Sequence, residues 1–440
     1  MSSDRFVVLG LAHVRADWFR EVSRWSTAGV VPVEFVKCVS VDELRARVAT
    51  GRAFSAALVD AALPGIDRDL IDVARRAGCA VIAVADPHTQ RDLLALGAVA
   101  TLPAFFDSAL LVSVLSEHSA MIGSATARTT SPDSERSAPP SWRGTVIAVT
   151  GGGGTGTSTV AMALAHGLAA DVRARGRVLL ADFALDADQA MLHDARDVVP
   201  GVQELVEAFR HGTPGADEIA NLTFGDGHPY RVLLGLRRHQ DWTALRPRAL
   251  QAALDEVRRH HTHIVCDIDP DLEGEAECGS FDVEERNLLA RSAVDAASVV
   301  VVTGTAGVQG THRLVRLLAR LVEHGVAAER ILPVVNRAPR SPRARAELAR
   351  TIIDLVAPLI GPSATSFSSP LFLAEQRRLD HSVRDGVGAP TAMASPLAAA
   401  AFAMLERRAE STIVDLTSDA PTLVVPGSLG SWAAGQGATG

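Results

Sequence analysis

The chain has 440 residues, a formal net charge of -8, 47% hydrophobic and 21% charged residues; this length exceeds one compact core and predicts two or three domains. The acidic balance excludes a protein that coats nucleic acid over its whole surface, though not one with a local basic patch. No uncharged apolar run reaches the ~20 residues that a membrane span needs. The first 118 residues alternate short apolar runs with amphipathic segments. The strand candidates are RFVVLGL, VPVEFVKCV, FSAALVDA, CAVIAVAD and AVATLP, with helix candidates near 16–25, 41–50, 68–77, 88–96 and 107–118. Five β-α units predict a doubly wound parallel sheet of flavodoxin-like type.

Residues 119–143 are rich in Ser, Thr, Ala and Pro, the composition of a flexible linker. From Gly144 the alternation resumes: TVIAVT, a helix at 158–174, RVLLADF, a helix near 202–210, YRVLLGL, a helix at 247–259, HIVCDID, SVVVVTG, a helix at 309–324, ILPVVN and a helix at 343–356. This predicts a second α/β domain over 144–408 with a mainly parallel sheet, closed by a helix near 394–408. Residues 409–440 read as a disordered tail. The fold class expected is therefore α/β, two doubly wound parallel-sheet domains. Cys38, Cys79, Cys266 and Cys278 are scattered without a CxxC pair, the usage of reduced thiols rather than of a disulfide framework or a zinc site. The opening MSSDRFVVLGL lacks the basic n-region and cleavage site of a signal peptide, which with the cysteine usage predicts a cytoplasmic protein.

The stretch TVIAVTGGGGTGTSTVAMAL at 145–164 carries the chemistry. It matches the phosphate-binding pattern G-x-x-x-x-G-K-[ST] at Gly151, Gly156 and Ser158, with Thr157 in the lysine's place. Glycines suit such a loop because backbone N–H groups must converge on phosphate oxygens where side chains would clash, and the helix that follows adds its N-terminal partial charge. The chain holds one lysine, Lys37, so no lysine from the second domain can fill the gap. The same letters satisfy G-x-G-x-x-G through Gly151, Gly153 and Gly156, with Asp182 ending the next strand as a dinucleotide site requires. Against that reading, the distance from loop to acid exceeds the usual ~20 residues, and the single tyrosine, Tyr230, has no lysine after it. A glycine run serving only as a tight turn is the third reading.

HIVCDID at 263–269 is an apolar strand ending in an aspartate. Asp267 there is the candidate to hold Mg2+ together with Ser158. Asp269 follows at the strand tip, and Asp182 is placed to orient an attacking water. Each carboxylate alone is an ordinary solvated strand end; three at strand ends beside a glycine loop form a set.

The stretches VTGGGGTGTSTVAMALA, RVLLADFALDADQAML, IVCDIDPD and ILPVVNRAP resemble the MinD/ParA class of deviant Walker ATPases, over roughly residues 144–408. That resemblance implies ATP and Mg2+ as ligands, a nucleotide site over Gly151, Gly152, Gly153, Gly154, Thr155, Gly156, Thr157, Ser158 and Thr159, and catalytic roles for Asp182 and Asp267. It implies adenine recognition at Asn336, followed by Arg337, and a homodimer across the loop face. Aligned so, Gly152 stands where the class carries a signature lysine and Thr157 where it carries the loop lysine; both are missing. The two-part layout is similar to the CpaE/TadZ localisation factors of pilus assembly and to septum-site-determining proteins. It implies protein partners in a secretion, pilus or division apparatus, with recruitment to a pole, septum or membrane. The first domain then resembles a receiver in which Asp60, in ALVDAALPGID, takes the phosphoacceptor position. The acidic pair and the lysine that would accompany it are absent, around LGLAHV and around Leu102 and Pro103, so a pseudo-receiver is expected.

Losing both lysines should slow hydrolysis by orders of magnitude, because catalysis of phosphoryl transfer is mostly positioning and electrostatics. Two functions follow: a slow Mg2+-dependent ATPase that positions machinery, or a nucleotide-free scaffold acting by partner binding alone. RAPRSPRARAELAR at 337–350 offers five arginines, readable as a nucleic-acid or acidic-partner contact or, with the negative net charge, as a solvated face. In QGTHRLVRLLARLVEHG the leucines 314, 317, 318 and 321 are expected to face the core with the arginines opposite. His260 and His261 are expected at the surface.

Overall fold

The structure is a computed structural model that describes residues 5–13, 16–89, 91–122, 142–174, 177–195, 197–225, 227–384 and 388–418. Two parallel sheets organise it. The first holds β1 (Phe6–Leu11), β2 (Val33–Lys37), β3 (Ala56–Asp60), β4 (Ala80–Val84) and β5 (Ala100–Leu102) in the order β2-β1-β3-β4-β5. That is the order of a flavodoxin-like doubly wound sheet. β1 and β3 are buried throughout, as their unbroken apolar runs require of central strands covered on both faces.

Helices Asp17–Thr27, Val41–Ala49, Arg68–Arg76 and Ser108–His118 cover this sheet. The helix expected near 88–96 is not formed among the described residues, where turns run instead. The segment is short and ends at Gly97 with φ +111°, and a costly helix nucleus gains little over so few residues. Tertiary contacts substitute: Leu93 and Leu96 are buried, and the Arg91 guanidinium donates to the carbonyls of Leu63 and Ile66.

The second sheet holds β6 (Thr145–Gly151), β7 (Val178–Phe183), β8 (Arg231–Leu233), β9 (His263–Ile268), β10 (Ala297–Thr305), β11 (Ile331–Ala338) and β12 (Leu371–Ala374). Their order is β12-β11-β10-β6-β9-β7-β8, and these strands pair with one another in parallel. From the central β6 the chain departs to one side for β7 and returns later to the other for β10. This reversal opens a crevice at the carboxyl ends of the strands, where ligands bind in such sheets.

The helix after β6, Thr157–Ala170, is almost wholly apolar and buried from Val160 to Ala165. It is sandwiched against the final helix, Thr391–Ser418. Gly167 permits the contact, since a Cβ there would lie 2.2 Å from the Ala394 carbonyl oxygen. That last helix runs past the boundary expected at residue 408, so residues 409–418 are helical rather than a disordered tail. The rest of the expected tail, and residues 123–141 of the expected linker, lie outside the described residues. Helix Val308–Glu323 buries Leu314, Leu317, Leu318 and Leu321 and exposes Arg313, Arg316 and Arg320. His261 is buried, not at the surface, with Nδ1 against the Val257 carbonyl at 3.1 Å.

The two units are docked through helix Arg68–Arg76, which packs on helices Val202–His211 and Pro247–His260. Asp67 caps the first of these through the Leu70 N–H at 2.8 Å and pairs with Arg210 Nε at 2.7 Å. The Arg68 guanidinium donates to the carbonyls of Phe209 and Gly212 at the end of the second. Asp69 accepts from the Arg248 N–H, and Asp72 pairs with the Arg248 guanidinium at 2.6 Å. Carboxylates of one helix thus meet guanidinium groups of its neighbours, while the Arg68 guanidinium satisfies orphan carbonyls at another helix's end.

Candidate functional site

The crevice is built by β6, β7, β9, β10 and β11. β6 ends at Gly151 and the chain enters the glycine loop there. Gly154 and Gly156 take φ of +79° and +83°, a region that favours residues without a Cβ. A Cβ on Gly156 would lie 2.7 Å from Asn336 Nδ2; one on Gly151 would lie 2.5 Å from Thr157 Oγ1 and 2.6 Å from the Thr303 carbonyl oxygen. Among the described residues no acceptor serves the backbone N–H groups of Gly154, Gly156, Thr157 or Ser158. These open amides at the start of a buried helix form an anion cradle.

Thr157, in the lysine's place, turns back into the loop. The Thr155 hydroxyl donates to the Gly152 carbonyl at 2.7 Å, so its hydrogen is spent. The Thr157 hydroxyl, 3.0 Å away, therefore donates to Thr155 Oγ1. Asn336 closes the loop from β11: its Nδ2 donates to the Thr155 carbonyl at 2.9 Å, and its Oδ1 accepts from the Arg337 N–H at 2.9 Å. Arg337 itself is exposed and holds φ +51°. Asn336, matched with adenine recognition by the resemblance, here spends these groups on the loop and on its neighbour.

Behind the loop lie the carboxylates. Asp182 and Asp267 are direct partners across β7 and β9, and Val149 of β6 is the partner of Asp267 on its other side. Asp182 has 0% and Asp267 1% of its surface exposed. The Ser158 side chain lies close enough to Asp267 to lower its carboxyl, so the structure brings together the pair that the sequence nominates for Mg2+. Asp182 accepts from the N–H groups of Gln189 at 2.9 Å and Ala184 at 3.3 Å. Its lack of exposed surface also removes the ribose partner that a dinucleotide site would need.

Gln189, which no sequence motif marks, ties these groups together. Its Nε2 donates to Asp267 Oδ2 at 2.8 Å and to the Ser158 carbonyl at 3.0 Å. Its Oε1 is buried and unpartnered. Burial pushes the Asp267 carboxyl up to about 6, against the opposing Gln189 hydrogen bond and the nearby Ser158 hydroxyl. Burial, and then the charge of Asp267, holds Asp182 well above the usual carboxylate range. Two like carboxyls this close cannot both ionise cheaply without a cation. Asp269 is raised by burial and accepts from the Leu185 N–H at 2.7 Å, shaping the loop after β7.

These groups fit Mg2+ with a phosphate ligand. Two buried carboxyls, a hydroxyl and an orphaned amide oxygen are hard oxygen donors, and Mg2+ takes few protein ligands, completing its shell with water and phosphate. No three His, Cys, Asp or Glu side chains among the described residues group as a metal site. Among the described residues one arginine donates to the loop: Arg313, with Nη1 3.4 Å from the Gly153 carbonyl oxygen. Its exposed position opposite the buried leucines gave no sequence signal of that contact.

In the first unit, Asp60 ends β3 in a cavity of about 390 Å3 lined also by His13, Trp18, Asp86, His88 and Phe105. Its carboxylate accepts from the N–H groups of His13 at 3.2 Å and Ala62 at 2.9 Å. Arg337, Arg340, Arg343 and Arg350 are exposed, as either a solvated face or a contact surface requires.

No family model and no curated protein matches the chain. Among solved structures it is similar to a ParA family ATPase from Chlorobium tepidum, with 14% identity over 59% of this chain and 99% of that one, at a TM-score of 0.44. It is similar also to the cell division ATPase MinD of Pyrococcus furiosus, with 19% identity, 60% and 99% coverage and a TM-score of 0.41. A complex of Cyanothece McdA with ATP matches with 17% identity, 58% and 94% coverage and a TM-score of 0.41. Likenesses this remote transfer no residue roles. Among the described residues no helix is long and apolar enough to cross a membrane.

Proposed function

We propose that the second domain binds the phosphates of ATP, with Mg2+, in the glycine loop, and that it hydrolyses ATP slowly or not at all. One observation carries this reading: open N–H groups at Gly154, Gly156, Thr157 and Ser158 line the glycine loop, beside the partly buried Ser158 and the buried Asp267. The amides bind phosphate oxygens, the following helix contributes its partial positive charge, and Asn336 keeps the loop in shape from below. Mg2+, when bound, supplies the charge that lets Asp267 and Asp182 ionise side by side and shields the phosphates. Gln189 must release Asp267 for that carboxylate to face a cation, and its orphaned Oε1 is a further oxygen donor at that position.

Slow turnover follows from what Thr157 does. A hydroxyl bonded to Thr155 places no charge on the transferring phosphoryl group, whose stabilisation is largely electrostatic. A nucleotide-gated binding module of MinD/ParA type, positioning pilus, secretion or division machinery as a homodimer, is the role that suits such a site, with the Asp60 domain as a partner-docking pseudo-receiver.

Equilibrium binding of ATP to the purified full chain, with and without Mg2+ and with NADH as control ligand, tests this. Mg2+-dependent ATP binding that is lost in Ser158→Ala supports the reading. Absence of ATP binding refutes it and leaves the nucleotide-free scaffold; NADH binding restores the dinucleotide alternative.

A further inference from the structure

The glycine loop binds an anion without a cation of its own, since the lysine of the pattern is Thr157 and the hydroxyl there is turned away. The geometry points to Arg313 as the residue that supplies the missing positive charge, from the first turns of helix Val308–Glu323 rather than from the loop. This assignment rests on the phosphate-cradle reading above.

Three observations support it. The Arg313 guanidinium meets the loop backbone at the Gly153 carbonyl, 3.4 Å away, in a hydrogen bond at the long end of the range, so it is held near the cradle yet only weakly committed. Its stem fills the space beside Gly152: a Cβ built on Gly152 would meet Arg313 Cδ at 3.5 Å and Cβ at 3.7 Å. Both distances are those of ordinary van der Waals contact, so the arginine's stem packs directly beside the loop at 152.

No carboxylate competes for it: among the described residues Arg313 forms no ion pair, while Arg173, Arg210 and Arg248 each do. The helix is anchored by Leu314, Leu317 and Leu318 in the core, which fixes the arginine's root while leaving its head free. An arginine also offers a planar fork of donors suited to phosphate oxygens, where lysine offers a point charge.

The test is titration calorimetry of the full chain with Mg-ATP and with inorganic pyrophosphate, on the wild type, R313A, R313K and R316A. Arg316 is exposed on the same helix and controls for general charge. The expected result is about tenfold weaker ATP and pyrophosphate binding in R313A, partial recovery in R313K, and wild-type affinity in R316A. Thermal unfolding without ligand should be unchanged in all variants, because these side chains are exposed.

Wild-type affinity in R313A, or equal losses in R313A and R316A, overturns the assignment and leaves the cradle reading standing. No binding of either ligand by any of the four proteins overturns both.

Discussion

Restoring the absent cation is the most direct perturbation of this site. In Thr157→Lys the hydroxyl bond to Thr155 is lost, which costs about 1 kcal/mol. The new ammonium sits at a helix N-terminus, where the helix dipole disfavours it by about 0.3–1 kcal/mol. The ligand-free variant should thus be less stable by about 1–2 kcal/mol, a fall in Tm of roughly 2 to 4 °C for a domain of this size. With Mg-ATP the sign reverses. A charge-assisted bond to phosphate is worth about 1.5–3 kcal/mol, and the lost internal bond, absent from the free and the bound variant alike, does not enter the affinity. Affinity should rise roughly 10- to 150-fold. Calorimetry with Mg-ATP, paired with thermal unfolding in its presence and absence, measures both halves. A variant that unfolds as the wild type does and binds ATP no more tightly would refute the reading of this loop as a phosphate cradle short of one cation.

Other consequences follow from the same geometry. Gly156→Ala forces a side chain to φ +83° and against Asn336 Nδ2. It should cost about 2–3 kcal/mol in urea unfolding and at least tenfold (~1.4 kcal/mol) in ATP affinity; unchanged affinity would show that the turn does not organise the amides. Asp67→Asn keeps the helix cap but gives up the charge that pairs with Arg210, for an expected loss of about 1–3 kcal/mol. Asp67→Ala should lose about 1 kcal/mol more, and both variants should be cut faster by protease between the two units; equal stability of the two variants would remove the cap from this account.

His193 is buried between the Gln189 carbonyl and Tyr230 Oη, and burial pushes its imidazole down to about 4 from the ordinary 6.5. The folded state therefore resists the proton that the unfolded chain accepts. Its contribution is present in full above pH ~6.5 and is lost, by about 3 kcal/mol, as pH falls toward ~4. In His193→Gln that slope should vanish from denaturant unfolding measured across the interval; parallel curves for variant and wild type would contradict the burial argument.

The site was legible in part. The glycines, Ser158, Asp182 and Asp267 are recognisable because backbone convergence on phosphate and hard-cation ligation each demand particular residue types at particular strand ends. The structure does bring Ser158 near Asp267 and makes Asp182 the partner of Asp267 across neighbouring strands. Gln189 and Arg313 were not legible. A glutamine in DADQAML and an arginine on an amphipathic helix have no distinctive spacing, and each acquires its partner only when strands and helices distant in sequence meet. The histidine pair before β9 misled for the same reason: polar composition suggests solvent, yet His261 is buried.

By itself the sequence determined the local alternation, and with it two parallel α/β sheets: continuous apolar runs can be stable only as strands covered on both faces, and leucines at helical spacing must turn toward them. It also determined the loop, because a tight left-handed turn after a strand excludes most residues but glycine. Tertiary structure alone decided the protonation of the acid pair and the docking of the two units. The first depends on how far burial and a neighbouring like charge, both properties of the assembled sheet, disfavour ionisation. The second depends on Asp67, Asp69 and Asp72 meeting Arg210 and Arg248, groups that more than a hundred residues of chain separate and that only the closed fold brings within hydrogen-bonding range.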